Sequence, residues 1–195
     1  MKKEGLADLV EAASNGDEMS WSALVDRFAG LVWAIARGYG LSFSDAADVS
    51  QTAWLRVVEN LDRIQDPERL GAWLSTTVRH ECFRVLKRAS RQVPVGDLID
   101  LTPYHADADV SPAPEAGMIA KEEAAYLWRA LETLSPQCRA LLRVLMADPT
   151  PTYAQVAAAL GMPIGGIGPT RARCLNQLRR NIEGEGISKS LPGSS

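Results

Sequence analysis

Histidine and cysteine are scarce in this chain, with two His and three Cys among 195 residues. Cys82, Cys138 and Cys174 are odd in number, far apart and set in segments that read as helix. Neither a disulfide framework nor a C-x-x-C metal site is expected from them. They are expected instead as reduced, buried thiols of a cytoplasmic protein. His80 and Cys82 lie two apart, which does not bring them to one helix face, so no metal and no cofactor is expected. Long hydrophobic runs are also missing: nothing approaches the roughly 18 apolar residues of a membrane span, and the start, MKKEGLADLVEAASNGD, lacks the apolar stretch of a signal peptide. A cytoplasmic location is the expectation. Positive charge is not in excess either. A net charge of -3 excludes a uniformly basic nucleic-acid binder, so any such role must rest on how the charge is distributed.

That distribution is uneven. From Arg69 to Arg91 six Arg and Lys face one acid, Glu81, whereas from Gln92 to Ala125 seven acids face one Lys. From Arg171 to Arg180 there are four Arg and no acid. Two basic patches therefore flank an acidic strip, where solvated helix faces are the plain alternative.

Helical periodicity accounts for most of the rest. Trp21, Leu24, Val25, Phe28, Leu31, Val32 and Ile35 recur at i, i+3, i+4, i+7 spacing, with Ser20 as the expected N-cap and Gly38-Tyr-Gly40 as the stop. A second helix is expected from Ser44 to about Leu61, burying Ala47, Trp54, Val58 and Leu61 and leaving Asp48, Gln51, Thr52 and Leu55 on another face. A third runs from about Leu70 to Ala89, after a polar connection holding Pro67. Residues 91–116 contain four prolines, scattered acids and no sustained period, which reads as a flexible acidic linker. Its apolar cluster, Val93 to Leu101, is expected to order against a partner. Helical spacing returns from Met118 to Leu134. Ser135-Pro136 then opens another helix, and Thr152 caps a short one from Tyr153 to Leu160. The fold class is all-α: an N-terminal three- or four-helix bundle over residues 1–90, a linker over 91–117, a four-helix C-terminal unit over 118–183, and a disordered tail over 184–195.

The C-terminal unit carries a helix-turn-helix pattern. Val156, Ala157, Leu160, Gly161, Met162 and Ile167 stand where two crossing helices and a tight turn need them, and the second helix then bears Arg171, Arg173, Arg179 and Arg180, with Leu175, Leu178 and Ile182 toward the core. Its opening, GMPIGGIGP, invites a phosphate-loop reading. That reading fails because residues 161–180 contain no Lys, and no strand precedes Gly161. Pro within a continuous helix costs about 3 kcal/mol and each Gly about 1 relative to Ala. Either the second helix starts near Gly168-Pro169, or its first turn, Ile164 to Gly168, is kinked and loosely held.

In this order the segments resemble a bacterial RNA polymerase sigma factor of the extracytoplasmic-function type. Asp45-Ala-Ala-Asp-Val-Ser-Gln-Thr-Ala-Trp-Leu55 is similar to the family's D-A-x-D-x-x-Q-x-x-F/W-L helix, joined by Ala72-Trp-Leu74, Leu134-Ser-Pro-Gln and Tyr153 to Gly161. The resemblance implies that Asp48, Gln51, Thr52 and Leu55 dock on the β′ clamp helices of core polymerase. It implies that Asn60, Arg63, Arg79, His80, Arg84, Lys87 and Arg88 hold the melted -10 element, where opened bases and phosphates call for pockets and positive charge. Gly165, Gly166, Gly168, Thr170, Arg171 and Arg173 would meet the -35 element in the major groove, with the C-terminal unit resting on the β flap and the linker threading the RNA-exit channel. An anti-sigma protein that holds the two units closed is a further implied partner. The chain departs from the family where His80 replaces a usual Asn, where Arg84 replaces a usual acid, and at Gly166-Ile-Gly-Pro-Thr170. A stand-alone helix-turn-helix regulator, which would leave Asp48 and Gln51 merely solvated, is the alternative. An enzyme with a nucleotide site in the Gly stretch is a weaker one, since no nucleophile–base pair or carboxylate cluster lies near it.

Overall fold

The computed structural model describes residues 5–92 and 127–190, all as helices, two 3-10 turns and their connections, with no strand among them. The elements are α1 (Leu6–Ser14), α2 (Glu18–Gly38), α3 (Phe43–Asn60), the 3-10 turns Leu61–Arg63 and Pro67–Arg69, α4 (Leu70–Gln92), a helical stretch over 127–132, α5 (Pro136–Leu145), α6 (Tyr153–Leu160) and α7 (Ile164–Ser190). The linker expected at 91–117 and the start of the helix expected from Met118 lie outside the described residues, apart from Arg91 and Gln92, which continue α4.

Local chemistry sets the helix starts. The Asp17 side chain accepts the Ser20 N–H at 2.7 Å and caps α2, so Ser20, expected as the cap, is instead a buried residue of the first turn. Ser42 caps α3 by accepting from Asp45 N at 3.0 Å, two residues before the expected start. Helix α1 makes the bundle one of four helices, the larger of the two expected numbers, at a position the sequence reading does not locate. It buries Leu6, Leu9, Val10 and Ala13 against the bundle and packs on α2.

The buried stripe of α3 is Ala46, Val49, Ala53 and Val57, not the expected Ala47, Trp54 and Val58. Small residues win because α3 lies close to α2 and α4. The larger Trp54 sits half-buried at the seam, edge-on to Trp21 with ring centroids 5.9 Å apart, while Val58 is exposed.

One apolar core runs from α1 into α7. Helix α5 packs chiefly on α2, and α6 chiefly on α4, so the C-terminal unit lies against the N-terminal bundle. Glycine makes these approaches possible: a Cβ on Gly30 would run into the Asp148 carbonyl, and one on Gly38 would press within 3.4 Å of the Ala140 backbone. Hydrogen bonds across the seam include Tyr39 Oη–H to the Ala159 carbonyl at 2.8 Å and Arg143 Nη1 to the Arg37 carbonyl at 2.9 Å.

Helix α7 starts at Ile164 and carries Pro169 inside it, rather than starting at Gly168. Pro169 removes the one N–H that would bond the Gly165 carbonyl, so a single backbone hydrogen bond of the ladder is lost. Packing supplies the remaining gain: Ile167, Thr170, Cys174 and Leu178 form its buried stripe, whereas Leu175 is exposed rather than facing the core as expected. The helix also continues through Ser190, where a disordered tail was expected from Gly184, because extending an existing helix by a residue is far easier than nucleating one.

Cys138 and Cys174 are joined in a disulfide, contrary to the expectation of three reduced thiols. The sequence separation of 36 hides the pairing, but α5 and α7 bring the Cα atoms to 5.3 Å, inside the range a bridge needs. Cys82 is the one free, buried cysteine among the described residues.

Candidate functional site

Three surfaces collect the candidate residues. On α3, rotation away from the stripe Ala46, Val49, Ala53 and Val57 turns Asp48, Gln51 and Leu55 outward, with Leu55 56% exposed although it is apolar. Thr52 sits half-buried beside them and donates its hydroxyl to the Asp48 carbonyl at 2.9 Å, so that group is already satisfied within the helix.

Helix α4 buries Leu70, Leu74, Val78 and Cys82 and leaves His80, Arg84, Lys87 and Arg88 exposed. Arg84 is held by Glu81, with both carboxylate oxygens 3.1 Å from Nη1, an exposed pair of small energetic weight. Arg79 behaves differently: it is half-buried against the turn at Gly161, where a Cβ would meet its guanidinium, and its Nε has no hydrogen-bond partner. Asn60 and Arg63 lie at the end of α3 and in the following 3-10 turn; the Asn60 side chain donates to the Arg56 carbonyl at 2.8 Å.

The α3 and α4 sets meet. A groove of about 330 Å³ between the two helices is lined by Asp48 and Thr52 from one side and Arg84 and Arg88 from the other. Spacing alone placed these residues on separate helices without bringing them to one groove.

The third surface is the start of α7. Thr152 and Gln155 form a reciprocal capping box on α6, and Gly161 ends that helix in the left-handed conformation at φ 65°, giving the tight turn that the helix-turn-helix pattern requires. A Cβ on Gly165, Gly166 or Gly168 would meet nothing within 4 Å, so this first turn is an open backbone surface. Arg171 and Arg173 are exposed beyond it. Thr170 is not available: it is buried on the core side, and its Oγ1 accepts from Arg173 at 3.2 Å. No group of His, Cys, Asp and Glu among the described residues could hold a metal ion, and no helix there is long and apolar enough to cross a membrane.

Residues that sequence reasoning passed over support the C-terminal unit. Glu132 accepts from Arg143 at 2.7 Å and Arg139 at 3.1 Å, and Arg143 stacks 5.3 Å from the Trp128 ring. Burial lowers the pKa of Arg143, and Glu132 opposes that shift.

Comparison with known proteins gives a consistent set. Residues 24–92 match the family described as Sigma-70 region 2. The RNA polymerase sigma-E factor of Streptomyces avermitilis is 30% identical over 145 residues, 71% of this chain and 72% of that protein. Among solved structures, CnrH in complex with the cytosolic domain of CnrY superposes with a TM-score of 0.58 at 22% identity, covering 90% of this chain and 96% of that one. The sigma factor RpoE in complex with the anti-sigma factor NepR from Bartonella quintana gives 0.58 at 20% identity, covering 83% and 97%. At those identities the two structures speak to the fold.

Proposed function

We propose a role for each exposed surface of this chain, which belongs to the extracytoplasmic-function type of the sigma-70 family of RNA polymerase sigma factors. It is a promoter-specificity subunit, working through core polymerase and promoter DNA in the cytoplasm, and we assign it no catalytic step of its own.

In this reading Asp48, Gln51 and Leu55 form the core-polymerase contact on the β′ clamp helices, and Thr52 shapes the helix between them. The exposed row His80, Arg84, Lys87 and Arg88, with Asn60 and Arg63, serves the -10 element, where single-stranded bases need stacking surfaces and phosphates need cations. The open first turn of α7, with Arg171 and Arg173, serves the -35 element. There the glycines let backbone approach the duplex while the arginines meet phosphates. Thr170 is left out because it faces the core. The two units correspond to separate DNA and polymerase contacts, residues 5–92 holding the first two surfaces and the C-terminal unit the third.

The observation that carries the reading is the exposed, mixed polar and apolar patch Asp48, Gln51 and Leu55, which the bundle itself does not use. Its test is the double change Asp48→Ala with Gln51→Ala. Core-polymerase binding is expected to be lost while the circular dichroism melt is unchanged; unaltered binding overturns the assignment and favours a stand-alone regulator.

The closed packing of the two units also bears on function. Elements centred 25 base pairs apart lie roughly 85 Å apart at 3.4 Å per pair. A compact body of this length has a radius of gyration of about 16 Å. The units must therefore separate on the promoter, and a partner that holds them together, as an anti-sigma protein would, keeps the chain off DNA.

A further inference from the structure

Cys138 and Cys174 stand where a reversible bond would matter to the -35 surface. Cys174 lies on the buried stripe of α7, four residues after Thr170 and one after Arg173, and is fully sealed. Cys138 is half-buried in the first turn of α5, where its N–H donates to the capping Ser135 hydroxyl at 3.4 Å. That turn contains no acid. A thiol in the first turn of a helix, where the helix dipole is positive, favours the reactive thiolate. The third cysteine is of the opposite kind: burial pushes the Cys82 thiol up to about 12.

The two cysteines join elements whose strongest packing is elsewhere. Helix α5 packs more on α2 than on α7, and α6 packs more on α4 than on α7. When the units separate, the C-terminal unit loses those supports and keeps the short helices α5 and α6 against one face of α7, a size of core at which a covalent staple commonly decides whether a fold holds.

We propose that Cys138 and Cys174 form a reversible thiol-oxidation site, taking hydrogen peroxide as oxidant, whose closure holds α7 in the arrangement that reads the -35 element once the two units part. The Cys138 thiolate attacks one peroxide oxygen, which breaks the O–O bond, releases one water after protonation and leaves a sulfenic acid. The Cys174 sulfur then attacks the Cys138 sulfur; its proton and the departing hydroxyl form a second water, and the S–S bond closes. Two thiols and one peroxide give one disulfide and two waters, with two electrons passing from sulfur to oxygen. In a reducing cytoplasm the pair rests as thiols, and oxidation raises promoter affinity.

This inference rests on the promoter reading for its consequence, and the experiment separates the two. Full-length protein is reduced, treated with hydrogen peroxide and alkylated under denaturing conditions. Intact mass is expected to show two fewer alkyl groups than the reduced form, the same in Cys82→Ala except for its own missing site, and no such loss in Cys138→Ser. The unit's stability is read without DNA, by hydrogen exchange of α5 to α7. Protection is expected to rise at least tenfold on oxidation. Affinity for a -35 duplex is expected to rise at least fivefold, with Cys138→Ser held at the reduced value and Cys174→Ala agreeing with it. Three alkylated thiols after peroxide, a bond to Cys82, or equal exchange in both states overturns the site. A bond that forms and protects α7 while neither state binds duplex or supports run-off transcription keeps the oxidation site and overturns the promoter reading.

Discussion

In the N-terminal bundle Leu24, Ile35, Leu74 and Val78 are sealed among four helices of up to 23 residues. In the C-terminal unit the corresponding Leu141, Val144, Val156 and Ile167 sit among helices of 10 and 8 residues and the start of α7, and the faces of α5 and α6 lean on α2 and α4. The first region is a platform that encloses its own apolar residues. The second borrows a wall from the platform and adds a covalent tie. Under the proposed function, in which two DNA-reading surfaces separate on the promoter, one of them is self-sufficient and the other detachable.

The largest test of that asymmetry compares two buried leucines. Leu74→Ala is expected to cost about 2–5 kcal/mol and to lower protection in both regions, because the C-terminal unit rests on the bundle. Leu141→Ala should cost a similar amount but speed hydrogen exchange in α5 to α7 alone; matched losses in both regions would abolish the distinction. Next comes the seam. Gly30→Leu forces a side chain into the Asp148 carbonyl, an overpacking that costs roughly 1–3 kcal/mol. It is expected to part the units with the bundle still folded, which small-angle scattering reads as a larger radius of gyration.

High pH sharpens the comparison from the bundle side. Cys82 ionises at about 12 when folded against an ordinary 9.0, so the folded state holds its proton more tightly than the unfolded one. The stability this contributes is complete below pH 9 and falls by about 1.4 kcal/mol per unit as pH rises toward 12. Burial likewise raises the pKa of the Tyr39 hydroxyl, and its contribution is lost above its ordinary range in the same direction. Urea midpoints measured from about pH 8 to 11 should fall less steeply in Cys82→Ala. Tyr39→Phe removes the hydrogen bond to Ala159 and is expected to weaken the closed form by about 1 kcal/mol. The smallest effect is a gain: Gly168→Ala meets no neighbour and is expected to stabilise α7 by up to about 1 kcal/mol. If duplex affinity is unchanged as well, the glycine has no role in close approach to DNA.

Legibility in the sequence followed the size of the side chains involved. Long periodic stripes such as Leu24, Phe28, Leu31 and Ile35 located α2, and the Ser135-Pro136 and Thr152 caps located α5 and α6. The stripe of α3 was misplaced because alanines, not the conspicuous Trp54 and Val58, mark a close helix approach. The seam was illegible for the same reason, since Gly30 and Gly38 work by having no side chain. The outward placement of Asp48, Gln51 and Leu55 was readable from spacing. The burial of Thr170 was not, because local preference pointed to a helix beginning after it was already under way. The disulfide depends on how two helices cross, a fact about three dimensions that a separation of 36 residues conceals.

Arg79 gives the closed seam a thermodynamic signature. Half-buried against the Gly161 turn with its Nε unpartnered, it is a cation partly shielded from solvent while the units are together. Under the proposed function, parting them would add one phosphate-seeking charge to the exposed row on α4. Each additional neutralised phosphate releases counterions and steepens the slope of log K against log salt by about 0.9 on duplex DNA and about 0.7 on a single strand. On that reading the open chain is the more salt-sensitive of the two forms, and its advantage in binding nucleic acid shrinks as ionic strength rises.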